Sequence, residues 1–104
     1  MDINEPKLNK EDVMKIDEHD FCADNVCIVT GVGTGIGRAT AVAAAVNGLT
    51  VVGLDVDAAK GGETAAITQD FGGRMIFRKT DLCEDDQIEE AVAEASGLGN
   101  IRYL

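Results

Sequence analysis

The chain has 104 residues, of which 45% are apolar and 27% charged, the make-up of one small globular domain. Its formal net charge of −10 opposes phosphate backbones and anionic lipid, and nine scattered Lys and Arg form no basic patch, which argues against nucleic-acid and membrane partners. No stretch is long or apolar enough to span a bilayer, and the N-terminus is acidic rather than a basic-then-apolar signal, so the expected location is the cytoplasm.

Residues 1–25 read as an acidic extension, with eight acids against three lysines and the only proline, Pro6. Asn9 is placed to cap a short helix with Asp12 at a box-like spacing, and Val13 and Ile16 make a thin apolar stripe that buries little. A solvated or loosely docked arm is expected. The three cysteines form no C-x-x-C pair and, with the single His19, offer no metal-ligand spacing, so plain thiols and no metal site are expected.

Val26 to Thr30 is an apolar run of the kind buried on both faces of a parallel sheet. At Thr30 it breaks into four glycines in seven residues (Gly31, Gly33, Gly35, Gly37), followed by an alanine-rich segment. That is a strand feeding a tight turn feeding a helix. The turn has little side-chain bulk, so its backbone N–H groups and the following helix N-terminus are open to an anion, with pyrophosphate as the natural occupant. No Lys-Ser or Lys-Thr follows, which excludes a P-loop, and G-x-G-x-x-G counted from Gly31 puts Ile36 at its last position. The spacing that fits is T-G-x-x-x-G-x-G, on Thr30, Gly31, Gly35 and Gly37.

The first helix is predicted from near Gly35, with Ile36, Ala39, Ala43 and Val46 as its buried stripe and Gly48 as a left-handed stop. A second strand, Thr50 to Leu54, ends at Asp55. The second helix runs from a cap at Asp57 to about Phe71, and Gly61 and Gly62 within it each cost about 1 kcal/mol relative to Ala, which marks its first turns as weak. Gly72 and Gly73 lead into a third strand, Arg74 to Lys79, with Met75 and Phe77 alternating, and Thr80, Asp81 and Leu82 at its carboxyl end. The third helix begins near residues 84–86 and ends at Gly97, with Ile88, Ala91, Val92 and Ala95 buried and acids in its first turns, where the dipole favours them. Cys83 stands where a Ser or Thr cap is expected, which makes Asp85 the next choice. Ile101 to Leu104 reads as a fourth strand. Alternation with linkers of two to six residues implies right-handed crossovers and an α/β, Rossmann-type doubly wound parallel sheet, incomplete, in order 3-2-1-4.

In such sheets the ligand lies across the carboxyl ends of the strands. The glycine loop, Asp55 and the Asp81-Leu82 pair all fall at that edge, where an adenine dinucleotide needs them. Asp55, eighteen residues beyond Gly37, is placed to accept hydrogen bonds from both adenosine ribose hydroxyls. Its charge would repel a 2′-phosphate, and neither Thr34 nor Val56 offers a basic group, so the expected cofactor is NAD rather than NADP. A strand-end Asp also serves as a turn or helix cap, the role read for Asp57 beside it.

The loop resembles that of the short-chain dehydrogenase/reductase family, which reads T-G-x-x-x-G-I-G, and the resemblance covers Val26 to Leu104. Gly33 is then an extra glycine at a variable position. Asp81-Leu82 is similar to the family's Asp-Val or Asp-Leu pair, whose carboxylate receives the adenine amino group, with helix capping as the rival role. Arg38 is common in the family whichever cofactor is used and is read as surface or phosphate-adjacent. The resemblance implies an oxidoreductase moving a hydride between NAD(H) and a hydroxyl or carbonyl substrate, with a cofactor site on Thr30, Gly31, Gly33, Thr34, Gly35, Ile36, Gly37, Asp55, Val56, Asp81 and Leu82. The family's Asn-Asn-Ala-Gly, its catalytic Asn and Ser, and its Tyr-x-x-x-Lys pair have no counterpart in the chain. Tyr103 is the only tyrosine, no lysine follows it, and it is read as core or edge packing, so no catalytic residue is assigned. The chain therefore reads as the partial NAD-binding domain (residues 26–104) of such an enzyme, small-molecule substrates belonging to a complete chain. The alternative is a self-standing adenine-nucleotide-binding module acting through a partner. The apolar edge of Ile101, Tyr103 and Leu104 favours the first and invites self-association.

Overall fold

The computed structural model describes residues 22–103. The Asn9-capped helix expected in the acidic extension, and Leu104, lie outside the described residues. Within them, strands and helices alternate strictly: β1 (Asn25–Thr30), α1 (Gly35–Val46), β2 (Thr50–Asp55), α2 (Ala58–Asp70), β3 (Arg74–Lys79), α3 (Asp85–Leu98) and β4 (Asn100–Tyr103). All strands are parallel, in the order β3-β2-β1-β4. Both the order and the element boundaries agree with the sequence reading to within a residue or two. Among the described residues no helix is long and apolar enough to cross a membrane.

Burial on both faces explains why β1 and β2 carry continuous apolar runs. Cys27, Val29 and Val51 join Val32, Ala41, Ala45 and Leu49 in one core, against which Met75 and Phe77 pack. Val26, Ile28, Val52 and Leu54 face the other way, onto Ala91 and Ala95 of α3, with Leu98 and Ile101 at its margin. Residues of opposite parity thus serve opposite faces, with α1 and α2 on one and α3 on the other. Burial pushes the Cys27 thiol up from its ordinary value, whereas Cys22 and Cys83 are exposed. On β3, Arg78 bridges Glu94 (2.5 Å) and Glu90 (2.7 Å) of α3, and these carboxylates push its guanidinium up.

Expectations about α1 and α3 are corrected. In α1 the buried residues are Ala41, Val42 and Ala45, whereas Ile36 is 86% exposed and Ala39 is exposed as well. An alanine-rich helix is nearly as apolar on one side as another, so its sequence period carries little information about which side meets the sheet. In α3 only Ala91 and Ala95 are buried and Val92 is exposed. Its N-cap is Glu84, which makes no side-chain capping bond, rather than Cys83 or Asp85. By contrast Asp57 caps α2 as expected, accepting from the Lys60 N–H at 3.0 Å.

The paired glycines of α2 differ in their surroundings. Gly61 is buried against Phe77, and a Cβ there would overlap the aromatic ring, whereas a Cβ on Gly62 would meet nothing within 4 Å. The helix-propensity penalty at Gly61 is therefore the cost of seating Phe77. Gly62→Ala is expected to stabilise the fold by about 1 kcal/mol and Gly61→Ala to destabilise it by about 1–3 kcal/mol, despite identical propensity gains. Urea unfolding of the two variants checks this, and a stabilised Gly61→Ala would remove the packing argument.

Candidate cofactor site

At the carboxyl end of β1 the chain turns through Gly31 (φ +66°) and Gly35 (φ +61°), a left-handed backbone that glycine adopts without steric cost. The Gly31 N–H donates to Leu54 O at 2.8 Å, tying the turn to the end of β2. A Cβ on Gly37 would overlap the Gly31 carbonyl oxygen, so the loop lies directly on the first turn of α1. At Gly31 and Gly35, in contrast, a Cβ would meet no protein atom within 4 Å. These two positions face an open cradle that side chains would fill. Thr34 is the N-cap of α1 in extended conformation, its side chain makes no capping bond, and the first turn holds no acid. The positive end of the helix dipole favours an anion in the cradle.

Asp55 closes β2 beside this loop. Its Oδ2 accepts from the Gly33 N–H at 2.8 Å and its Oδ1 from the Asp57 N–H at 2.9 Å, so both oxygens are held by backbone donors. A Cβ on Gly33 would lie 2.8 Å from Asp55 Oδ2 and 3.0 Å from Lys60 Cβ. The extra glycine at a variable position of the family pattern is therefore fixed in this chain by the carboxylate it touches. Opposite, Thr80 N–H donates to Asp55 O at 2.9 Å and brings the end of β3 alongside. Between them lies a cleft of about 280 Å³ lined by Gly31, Leu54, Asp55, Val56, Thr80, Asp81, Leu82 and Cys83. Val56 and Leu82 are 57% and 50% exposed and give this cleft apolar flanks suited to a flat ring.

Asp81 also serves its own turn. Its Oδ1 accepts from the Cys83 N–H at 2.9 Å, its N–H donates to Gln87 Oε1 at 2.7 Å, and its carbonyl receives the Glu84 N–H. These bonds fix the turn before α3, but they are not the helix cap weighed against adenine recognition, since the N-cap is Glu84 and no side chain caps the helix. Thr30, Ile36 and Gly37 do not line this cleft; with Cys27, Ile28, Val29 and Thr40 they line a second cavity of about 360 Å³ along β1 and α1. Of the candidate residues, Gly31, Asp55, Val56, Asp81 and Leu82 line the first hollow and Thr30, Ile36 and Gly37 the second, while Gly33, Thr34 and Gly35 line neither.

Sequence reasoning missed the residues behind the loop. Arg38 is not a surface residue: its side chain is 13% exposed and reaches α2, with Nε donating to Thr64 Oγ1 (2.8 Å), Nη1 at 3.0 Å from a Glu63 carboxylate oxygen and Nη2 donating to Lys60 O (3.4 Å). Thr64 is fully buried and its hydroxyl donates to Val32 O in the glycine loop at 2.7 Å. Gly61, Thr64 and Thr68 form the buried face of α2, a small polar stripe that no apolar period announces. Among the described residues no group of three or more His, Cys, Asp or Glu is placed to hold a metal.

The chain is similar in sequence and fold to known proteins. A 3beta-hydroxysteroid dehydrogenase of Mediterraneibacter gnavus is 35% identical over 71 residues, which are 68% of this chain and 26% of that protein. A short chain dehydrogenase/reductase of Burkholderia phymatum, solved in complex with NAD, superposes with a TM-score of 0.68 at 28% identity over 75% of this chain and 27% of that one. A metagenomic short-chain oxidoreductase, solved with NADP, superposes with a TM-score of 0.73 at 27% identity, covering 81% of this chain and 38% of that one. The chain thus spans between about a quarter and two fifths of the length of these relatives. The family model for short chain dehydrogenase matches residues 25–104, all of the sheet and the whole glycine loop, and the chain belongs to that family of oxidoreductases.

Proposed function

We propose that the chain is the NAD-binding amino-terminal portion of an oxidoreductase that transfers a hydride between NAD(H) and a hydroxyl or carbonyl substrate. The observation that carries this reading is Asp55, which lines the cleft beside the glycine loop with both carboxylate oxygens held by backbone N–H groups. Each oxygen keeps a further lone pair, enough to accept one ribose hydroxyl apiece. The cradle over Gly31 and Gly35 and the N-terminus of α1 suit a pyrophosphate, while Val56 and Leu82 flank an adenine whose amino group Asp81 receives. When bound, the nicotinamide supplies the hydride acceptor or donor; nothing in residues 22–103 is assigned to proton transfer.

Titrating the 104-residue chain with NADH and NADPH tests the reading, with NADH expected to bind tenfold or more tightly, on the scale of about 1–3 kcal/mol for an unsatisfied, repelled polar group. Turnover is expected to be absent in an alcohol-oxidation screen, because hydride transfer to a carbonyl requires a proton donor at the substrate oxygen and the chain has no Tyr-x-x-x-Lys pair. Among the described residues β4 is an edge strand of the sheet, and this edge is expected to make the chain self-associate in sedimentation. A monomer that reduces NAD at an ordinary enzymatic rate would overturn the reading that residues 26–104 supply the cofactor site and no proton donor.

A further inference from the structure

We infer that Thr64 is a positioning residue for the ribose carboxylate, acting through the single peptide unit between Val32 and Gly33. The inference rests on the NAD reading above and names what sets its selectivity. The carbonyl of that unit accepts from Thr64 Oγ1 at 2.7 Å, and its N–H donates to Asp55 Oδ2 at 2.8 Å. A trans peptide is planar, with its C=O and N–H opposed, so holding the oxygen aims the N–H. Neither Thr64 nor Arg38 lines the cleft. Whatever they do for nucleotide choice is done through the loop.

Hydrogen-bond valence fixes the direction of this relay. Arg38 Nε has no lone pair to offer, so at 2.8 Å it donates to Thr64 Oγ1, and the hydroxyl's one hydrogen must go to a carbonyl. Two carbonyls are in reach, Val32 O at 2.7 Å and Lys60 O at 3.1 Å. The nearer one takes the hydrogen, and Lys60 O receives Arg38 Nη2 instead. Gly33 completes the device, because a side chain there would push into Asp55 Oδ2. Without the hydroxyl the peptide is free to tilt, its N–H leaves Oδ2, and the carboxylate can swing away from the place where it meets a ribose and repels a 2′-phosphate.

The test is Thr64→Val, which keeps the branched shape and removes the hydroxyl, with Thr64→Ser as the variant that restores it. Amide exchange at Gly33 is read by NMR alongside NAD and NADP affinities. In Thr64→Val the protection of the Gly33 N–H is expected to fall about tenfold and the preference for NAD about fivefold, the effect of one hydrogen bond, and Thr64→Ser to recover both. A Thr64→Val chain that melts at lower temperature but keeps Gly33 protection and nucleotide preference would make Thr64 merely structural and overturn the inference. Should Thr64→Val not fold, Arg38→Lys removes the donor that directs the hydroxyl; it is expected to lose part of the same protection and preference, and unchanged values there overturn the relay equally. Wild-type and Asp55→Ser chains that bind NAD and NADP alike would instead overturn the NAD reading, while the exchange at Gly33 still decides whether Thr64 holds the peptide.

Discussion

Gly37→Ala is expected to abolish nucleotide binding and to destabilise the fold by about 3 kcal/mol, the upper end of the usual cost of overpacking. The methyl group would overlap the Gly31 carbonyl, with Gly31 C at 2.6 Å and Thr30 O at 3.2 Å, and every one of these is a backbone atom. No side-chain rotamer can relieve the clash, so the turn itself must move away from α1. Gly35→Ala provides the contrast, since its methyl would meet no protein atom and the backbone at φ +61° costs an L-residue only about 1–2 kcal/mol. Its methyl would nevertheless stand in the cradle above the helix N-terminus, where the pyrophosphate is placed. Thermal unfolding and calorimetric titration with NADH are therefore expected to separate the two: Gly37→Ala loses stability and binding together, whereas Gly35→Ala loses binding out of proportion to stability. Wild-type affinity in a stable Gly35→Ala would reduce the loop to a structural turn.

The parts of this fold legible in the sequence are those where one residue type answers one backbone demand. Thr30 to Gly37 could be read because the glycine spacing is itself the geometry, and Asp57 because a cap is a local hydrogen bond. Strand order followed from short linkers and the handedness of crossovers. What stayed hidden depends on partners distant in the chain. Gly33 is constrained by Asp55, twenty-two residues on, Gly61 by the ring of Phe77, and Arg38 by Thr64, twenty-six residues on. None of these pairs leaves a periodic trace. Ile36 misled for a related reason: on a helix built of alanines the largest apolar residue attracts the stripe, yet here it is exposed and lines the hollow along β1.

Asp55→Ser is expected to cut the preference for NAD by tenfold or more and to raise NADP binding in absolute terms. The substitution removes the acceptor of two ribose hydroxyls and the charge facing a 2′-phosphate, about 1–3 kcal/mol on the scale of unsatisfied polar groups. It also strips the Gly33 and Asp57 N–H groups of their acceptor, which loosens the loop and the start of α2. That loosening weakens both nucleotides alike, so the ratio of affinities isolates the local electrostatics from it. A second contribution must be separated too. The net charge of −10 disfavours the more highly charged NADP wherever it binds, and this long-range effect is screened at about 1 M salt, where the Debye length is about 3 Å. A carboxylate in contact with the ribose is screened far less. The preference of the unaltered chain is therefore expected to survive high salt and to be lost in Asp55→Ser at any salt. A preference that vanishes in 1 M salt while Asp55 is intact would assign it to the field of the whole chain, and one that persists in Asp55→Ser would assign it to other residues of the cleft.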